Sequence, residues 1–159
     1  MAHVSGPWYI RHMNNTASAV RARGLKPVPL EGKRPQHSAW TTRLFSDEYF
    51  REGQNVGVKT GLSVGDERGG YLVVLDVDVK GGKPGEASLA QLVEDWGELP
   101  ATYEVYTPSG GRHIYLRSTS PLPSRDGFRP GLDIRGVGGQ VVAPGSRTEL
   151  GAYTGDGEA

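Results

Sequence analysis

The chain has 159 residues, equal numbers of basic and acidic side chains, and no cysteine. This length is enough for one domain with its own hydrophobic core, and the absence of cysteine excludes disulfide bonds and thiolate metal sites. No apolar run is long enough to span a membrane, and the N-terminus lacks the layout of a signal peptide, so we expect a cytoplasmic protein.

The charges are unevenly distributed along the chain. Residues 1–60 contain nine Lys and Arg against four Asp and Glu, whereas residues 61–159 contain nine against fourteen. A basic part beside an acidic part suits a polyanion that lies across a metal site, but ordinary surface variation explains the asymmetry equally well.

The first part of the chain predicts a helix, an extended segment, a short helix and a strand. The first helix is predicted over residues 8–23, with Gly24 as its C-cap. Residues 26–30 are expected to be extended, because each proline biases the preceding residue away from helical geometry. Ser46 can cap the short helix, and residues 55–60 form the predicted strand.

The second part predicts one sheet with a helix packed on one face. Residues 71–78 form an apolar run typical of a central strand, and residues 86–96 have helical periodicity. Hairpins are predicted at 102–117 and 132–143, each around a glycine-containing turn. The order β-α-β-β-β-β defines an α+β fold with a mostly antiparallel sheet. The glycine-rich residues 151–159 are expected to form a flexible tail.

Three aspartates in strand-like segments, Asp76, Asp78 and Asp133, are candidate metal ligands. Asp76 and Asp78 share one face of their predicted strand because side chains alternate. Neighbouring carboxylates repel unless a cation holds them, and oxygen ligands suit Mg²⁺ or Mn²⁺. Each aspartate alone is also compatible with a capping or solvated role. Together the three predict a site for two divalent ions that clamp an attacking hydroxyl and a leaving pyrophosphate.

A histidine follows a glycine turn in the same part of the chain. The turn of Ser109, Gly110 and Gly111 is expected to leave backbone N–H groups open to an anion, since glycine allows close approach. His113 is then predicted to contact a phosphate, although a single strand histidine is often a structural residue. Arg135 shares a strand face with Asp133 and is a candidate to neutralise a triphosphate, with a solvated arginine as the alternative.

These motifs resemble a known family. The chain is similar over nearly its whole length to the bifunctional primase-polymerase (prim-pol) domain of phage and plasmid replication proteins, within the archaeo-eukaryotic primase superfamily. The resemblance is carried by GLKPVPL at 24–30, Lys33, Pro35, Trp40, NVGVKTG at 55–61, VLDVD at 74–78, TPSGGRH at 107–113, LDIRG at 132–136 and GQVVAP at 139–144.

The resemblance implies a fold, an activity and partners. It implies a single domain in which residues 61–150 form an RRM-like catalytic lobe, fused to a small N-terminal α/β unit in residues 1–60. The implied activity is primer synthesis and DNA polymerisation in DNA replication, on a single-stranded DNA template with a primer terminus and ribo- or deoxynucleoside triphosphates. Such domains are usually fused to, or work with, a helicase in a bacterial host cell.

The resemblance also implies roles for individual residues. It implies metal binding by Asp76, Asp78 and Asp133, and contact between His113 and the incoming triphosphate. Lys59 and Thr60 lie where the family often lines the nucleotide pocket. The family's histidine motif often begins with a small residue two positions earlier; here that residue is Gly111, which removes a hydroxyl contact sometimes found there.

Two other functions remain compatible with these residues. Three aspartates and one histidine would also suit a metal-dependent nuclease or phosphohydrolase, in which they activate water. A non-catalytic nucleic-acid-binding module is the other alternative. Such a module would need aromatic residues on an open sheet face for base stacking, whereas this sequence places carboxylates there.

Overall fold

A computed structural model describes residues 14–156, which form an α+β fold of two helices and mostly antiparallel strands. The helices are α1 (Asn15–Ala22) and α2 (Gly85–Trp96), with single 3-10 turns at Asp47–Tyr49 and Lys80–Gly82. The strands are β1 (Pro27–Glu31), β2 (Arg34–Pro35), β3 (Val56–Lys59), β4 (Tyr71–Val77), β5 (Glu104–Tyr106), β6 (Arg112–Ser118), β7 (Arg125–Arg129), β8 (Leu132–Arg135), β9 (Gln140–Val142), β10 (Arg147–Thr148), β11 (Gly151–Ala152) and β12 (Thr154–Gly155). Neither helix of this range is long and apolar enough to cross a membrane.

Four strands form the first sheet, in the order β2-β1-β3-β9. β9 comes from far along the chain and pairs antiparallel with β3, with Val58 opposite Val141. The predicted hairpin over residues 132–143 is therefore wrong, because β8 belongs to the second sheet and β9 to the first. The glycine loop between them is bonded to other segments: Val137 donates to Leu122 at 2.7 Å, and Gly139 accepts from Thr60 at 3.0 Å.

Six strands form the second sheet, in the order β12-β5-β6-β4-β8-β7. β4 lies between β6 and β8, as its continuous apolar sequence predicts. The sheet also contains β7, a strand that the sequence did not predict, which pairs irregularly with β8. Of the strands predicted for the second part of the chain, β9 belongs instead to the first sheet, so the first lobe depends on residues beyond position 60.

The two faces of the second sheet bury different cores. One face packs on α2 through Leu75, Val77, Ile114 and Leu132, with Leu89 from the helix. The other face contributes Leu72, Val74, Val105 and Tyr115 to a core shared with the first sheet. Because side chains alternate along a strand, Asp76 and His113 project on this shared side, between the two sheets.

Helix α1 begins where Asn14 caps it. The Asn14 side chain accepts a hydrogen bond of 2.9 Å from the Ala17 amide and donates to the carbonyls of Arg51 and Gln54 at 2.8 and 3.1 Å. The helix predicted over residues 8–23 is confirmed for residues 15–22, and its residues 8–13 lie outside the described part of the chain.

The segment expected to be a flexible tail is ordered as far as residue 156. β11 pairs with β10, and β12 pairs with β5 at the edge of the second sheet. Tyr153, between β11 and β12, is only 7% exposed and belongs to the shared core. Burial of this aromatic ring ties the glycine-rich segment to the domain, while residues 157–159 lie outside the described range.

Candidate active site

Asp76 is the central residue of the site. In the second sheet it lies directly opposite His113 of β6 on one side and Asp133 of β8 on the other. Adjacent strands are about 4.8 Å apart, so the register places these three side chains in one row. His113 Nε2 lies 3.6 Å from Asp76 Oδ1. The fold thus brings together three of the four residues that the sequence assigned to catalysis.

The carboxylates of Asp76 and Asp133 share one cation, the guanidinium of Arg135. Its Nη2 lies 2.9 Å from Asp133 Oδ2 and 3.6 Å from Asp76 Oδ2, and its Nη1 donates to Asp126 at 2.9 Å. Asp133 Oδ1 accepts a further hydrogen bond of 2.6 Å from the Gly127 amide. Arg135 therefore offsets part of the negative charge of the carboxylate pair in this structure, and it is not an isolated surface arginine.

Asp78 lies next to this pair but has partners of its own. Its Oδ1 accepts a hydrogen bond from the Lys80 amide at 2.9 Å, and its Oδ2 lies 3.1 Å from Lys83 Nζ. Burial raises the pKa of Asp78, but these hydrogen bonds outweigh it, so the pKa lies below its usual value. Within residues 14–156, no group of three acidic, histidine or cysteine side chains is arranged to hold a metal ion.

The two groups at the centre of the row have strongly shifted pKa values. Burial raises the pKa of Asp76 to about 6; the charge of Arg135 opposes this rise, and Asp133 and Asp78 add to it. Burial, assisted by the charge of Arg135, lowers the pKa of His113 to about 4. Near pH 7 the imidazole is therefore neutral beside an ionised Asp76. Among residues 14–156, the buried Nδ1 of His113 has no hydrogen-bond partner.

The turn before His113 is not the open anion cradle that the sequence predicted. The Gly110 amide donates to the Thr107 carbonyl at 3.0 Å, and the Gly111 amide donates to Thr107 Oγ1 at 3.0 Å. Ser109 Oγ lies 3.2 Å from the same threonine hydroxyl. The turn closes on Thr107, so the amides of both glycines are already used. A glycine is required at position 111 because the packing leaves no room for a Cβ, which would lie 2.4 Å from the Val77 carbonyl oxygen.

Lys59 and Thr60 also do not line the cleft between the two sheets into which Asp76 projects. Both are buried, at 3% and 1% exposure. Lys59 Nζ donates to the Arg43 carbonyl, and Thr60 Oγ1 donates to the Gly136 carbonyl at 2.6 Å. The nucleotide-pocket role suggested by the resemblance therefore does not match their positions: one fixes the segment around Arg43 and the other fixes the glycine loop.

A cleft of about 360 Å³ opens between the two sheets beside the carboxylates. It is lined from the second sheet by Asp76, His113 and Arg135, with Tyr153 beside them, and from the first sheet and its following segment by Lys33, Pro35, Trp40 and residues 139–142. Lys33 and Arg135 make it suitable for an anion with several charges.

Sequence reasoning assigned no role to three of these lining residues. Lys33 and Trp40 were noted only as part of the family resemblance, and Tyr153 lay in the expected tail. The Tyr153 ring centroid is 6.0 Å from that of His113, and burial, together with the charge of Asp76, raises the Tyr153 pKa. An isolated tyrosine within a glycine-rich segment is the feature of the sequence that could have indicated its burial.

A larger cavity of about 1000 Å³ lies elsewhere, next to α1. Its walls include Arg23, Tyr103, Tyr115 and Arg117, and they contain none of the predicted site residues. Size alone therefore does not identify the active site of this protein. The smaller cleft is the better candidate because Asp76, His113 and the cations Lys33 and Arg135 line it.

Fold and site together define a class: an α+β protein whose antiparallel sheet holds a carboxylate pair beside a cationic cleft, as enzymes acting on phosphate-bearing substrates do. Residues 17–156 match the family model described as the bifunctional DNA primase/polymerase, N-terminal domain. The chain therefore belongs to this family, which supports a primase and polymerase role in DNA replication, with DNA and nucleotides as substrates. A search of curated proteins finds no significant match.

Proposed function

We propose that this chain is a template-directed nucleotidyltransferase that synthesises and extends primers. The observation that carries the proposal is the pairing of Asp76 with Asp133 across β4 and β8, with Arg135 between them at the wall of the cleft. Side chains on adjacent hydrogen-bonded strands keep a fixed separation, which favours a reaction that depends on exact placement of phosphate oxygens.

The donor atoms suit Mg²⁺ or Mn²⁺, and we propose that two such ions are used. Carboxylate oxygens are the ligands these cations prefer. Arg135 carries a single positive charge between Asp76 and Asp133, so a bound divalent ion would supply the charge compensation that this pair still lacks. Asp76 and Asp133 would hold the ions, and Asp78 would join them once it leaves Lys83. When bound, such ions polarise the phosphate and activate the attacking hydroxyl.

The other charged residues of the cleft would bind the triphosphate. Arg135 is released from the two carboxylates when a stronger cation replaces it, and its guanidinium then faces the phosphates. Lys33 supplies a second cation to the same cleft. His113 is neutral near pH 7, so it donates a hydrogen bond to a phosphate oxygen as an uncharged imidazole. In this proposal the turn at residues 109–111 supports His113 and does not itself bind phosphate.

The proposed partners follow from the family. They are a single-stranded DNA template, a primer terminus and ribo- or deoxynucleoside triphosphates. We further propose that the domain is fused to or works with a helicase, in phage or plasmid replication in the bacterial cytoplasm. Family membership supports these proposals.

Primer extension tests the proposal directly. The protein is given primed and unprimed single-stranded templates, each nucleotide type and Mg²⁺ or Mn²⁺, and product lengths are measured. We expect Asp76→Asn and Asp133→Asn each to reduce extension by at least about a hundredfold, as loss of a metal-holding carboxylate should. Asp95→Asn is the matched control, since Asp95 pairs with Arg129 on the helix surface.

Three results would contradict the proposal or the site on which it rests. Shortening of the oligonucleotide without any extension would favour the nuclease or phosphohydrolase alternative. Binding of template and nucleotide with no chemistry under either metal would favour a non-catalytic nucleic-acid module. Normal extension by the Asp76→Asn and Asp133→Asn variants would show that the reaction centre lies elsewhere.

A further inference from the structure

Trp40 has a distinctive position in the cleft. Its indole is partly buried, packs against the core shared by the two sheets, and lines the same cleft as Asp76 and Arg135. The core fixes part of the ring, and the rest borders open space. Aromatic rings held in this way are common platforms for nucleobases, because every base has a π-face that can stack.

The backbone before Trp40 is strained. Ala39 has φ of 54°, and it is the one non-glycine residue within 14–156 with a positive φ. A left-handed conformation is unfavourable for a residue with a Cβ and persists only where the surroundings hold it. The Ala39 carbonyl accepts hydrogen bonds from the amides of Thr42 and Arg43 at 3.1 and 3.2 Å, which closes the turn. This turn sets the direction in which Trp40 leaves the backbone.

Two polar side chains of the first sheet, one of them buried, tie the segment around Trp40 to that sheet. The ammonium group of Lys59 donates a hydrogen bond to the Arg43 carbonyl at the end of the turn. Gln140 Nε2 donates to the Lys33 carbonyl at 3.1 Å, before the turn. The segment from 33 to 43 is therefore anchored on both sides of Trp40. Its position is fixed before any ligand arrives, which reduces the entropy lost on binding.

The cleft thus has chemically distinct walls. Lys33 and Arg135 supply positive charge, whereas the indole of Trp40 supplies an extended apolar surface. A nucleoside triphosphate has the matching division into charged phosphates and a flat base. No comparable apolar surface is needed by inorganic phosphate or by a metal ion alone.

We propose that Trp40 is the stacking surface for the base of the incoming nucleotide, with the phosphates directed towards Lys33 and Arg135. This inference rests on the proposed function, because it assigns the cleft beside Asp76 to the nucleotide. It adds a base-binding residue to that function and gives Lys59 the role of a positioning residue, which holds the turn that carries Trp40.

Tryptophan fluorescence tests the proposal. The chain has three tryptophans, so Trp8→Phe and Trp96→Phe together leave Trp40 as the single reporter. This protein is titrated with a deoxynucleoside triphosphate and, separately, with inorganic tripolyphosphate, both with Mg²⁺. Calorimetry measures both affinities for Trp40→Phe and Trp40→Leu. Trp96→Leu is the matched control because Trp96 is 81% exposed at the end of α2.

We expect the nucleotide to quench Trp40 fluorescence and tripolyphosphate to leave it unchanged. Trp40→Leu should weaken nucleotide affinity about 5- to 100-fold, Trp40→Phe should retain most of it, and tripolyphosphate affinity should be equal in all variants. Equal losses for both ligands, or no loss for the nucleotide, would overturn the inference. Quenching by a single-stranded oligonucleotide alone would also overturn it, because the stacked base would then belong to the template.

The same experiment separates failure of this inference from failure of the proposed function. If nucleotide binds and primers are extended while Trp40 gives no signal and tolerates Trp40→Leu, the stacking role is wrong and the function stands. If calorimetry detects no nucleotide binding to the unmodified protein, both are wrong. Thermal unfolding of each variant checks that the domain is folded under the conditions of the titration.

Discussion

Asp76 and Asp133 lie directly opposite each other on adjacent strands, and the guanidinium of Arg135 bridges their carboxylates. Two like charges in this arrangement repel, so the pair requires a cation. Arg135 supplies it in this structure. The relationship explains why the site combines acidic side chains with a basic residue, and it leads to predictions about charge, pH and metal ions.

Removal of the Arg135 guanidinium should make the stability of the domain depend on a divalent metal ion. Arg135→Gln leaves both carboxylates without their shared partner, so we expect the free energy of unfolding at pH 8 to fall by about 1–3 kcal/mol. The loss should be smaller near pH 5, where Asp76 takes up a proton. Millimolar Mn²⁺ should restore more stability in this variant than in the unmodified protein. Denaturant unfolding with and without the metal measures these effects.

Arg129→Gln is the control for that experiment, since Arg129 pairs with Asp95 on the surface, 3.2 Å away. Its effect should be small and independent of Mn²⁺. An Arg135→Gln protein as stable at pH 8 as the unmodified one would show that the two carboxylates do not need the guanidinium.

Asp76 and His113 should have opposite effects on stability as pH changes. The folded-state pKa of Asp76 is about 6 against an ordinary 3.8, so its contribution falls as pH rises between these values. The pKa of His113 is about 4 against 6.5, so its contribution rises over nearly the same window. In the unmodified protein the two trends largely cancel.

Single substitutions should reveal each trend. Stability of Asp76→Asn should rise by about 2–3 kcal/mol between pH 4 and pH 6.5, whereas stability of His113→Gln should fall by a similar amount. Denaturant unfolding across this range measures both profiles. Parallel profiles for the two variants would mean that one of these pKa shifts has been assigned in the wrong direction.

Divalent cations should stabilise the folded protein through the carboxylates. Mn²⁺ should raise the melting temperature of the unmodified protein, because a ligand that binds only the native state shifts the unfolding equilibrium. Asp76→Asn and Asp133→Asn should each abolish this rise, and Asp78→Asn should reduce it. Asp95→Asn should behave like the unmodified protein. Retention of the full shift in the Asp76→Asn, Asp133→Asn double variant would place the metal elsewhere.

Gly111 should be required for packing. In Gly111→Ala the new methyl group would lie 2.4 Å from the Val77 carbonyl oxygen, where it forces β6 away from β4. We expect a loss of about 1–3 kcal/mol in the free energy of unfolding, together with reduced extension because His113 lies two residues further along the displaced strand. Ser109→Ala, in the same turn, should cost less than about 1 kcal/mol. Thermal and denaturant unfolding distinguish the two, and equal stability would show that the backbone adjusts freely.

Substitution of Lys59 tests whether this residue positions the turn that carries Trp40 or contacts phosphate. Lys59→Met keeps the apolar stem but removes the donor to the Arg43 carbonyl. If Lys59 acts through Trp40, nucleotide affinity should fall several-fold while tripolyphosphate affinity is unchanged. Calorimetry with both ligands measures this, and an equal loss for both would restore the phosphate-binding role.

The sequence by itself determined the features that depend on local pattern. The continuous apolar run before Asp76 predicted the central strand, and the spacing of apolar residues over 86–96 predicted α2, since both depend on side-chain periodicity. Alternation along the strand placed Asp76 on one face. The family motifs identified Asp76, Asp133 and His113 as site residues, and the fold brings these three into one row.

Tertiary structure decided the features that depend on partners distant in sequence. A glycine loop looks the same in sequence whether it closes a hairpin or crosses between sheets, so the separation of β8 from β9 could not be read in advance. Hydrogen-bond partners likewise fixed the positions of Gly110, Gly111, Lys59 and Thr60, whose amides or side chains bond within the protein. Burial of Tyr153 ordered a segment whose sequence looks flexible. The stabilisation that a side chain supplies depends on the core against which it packs, and the sequence does not show that core. The guanidinium of Arg135 lies between Asp76 and Asp133 only because the pairing of β4 with β8 places those charges together.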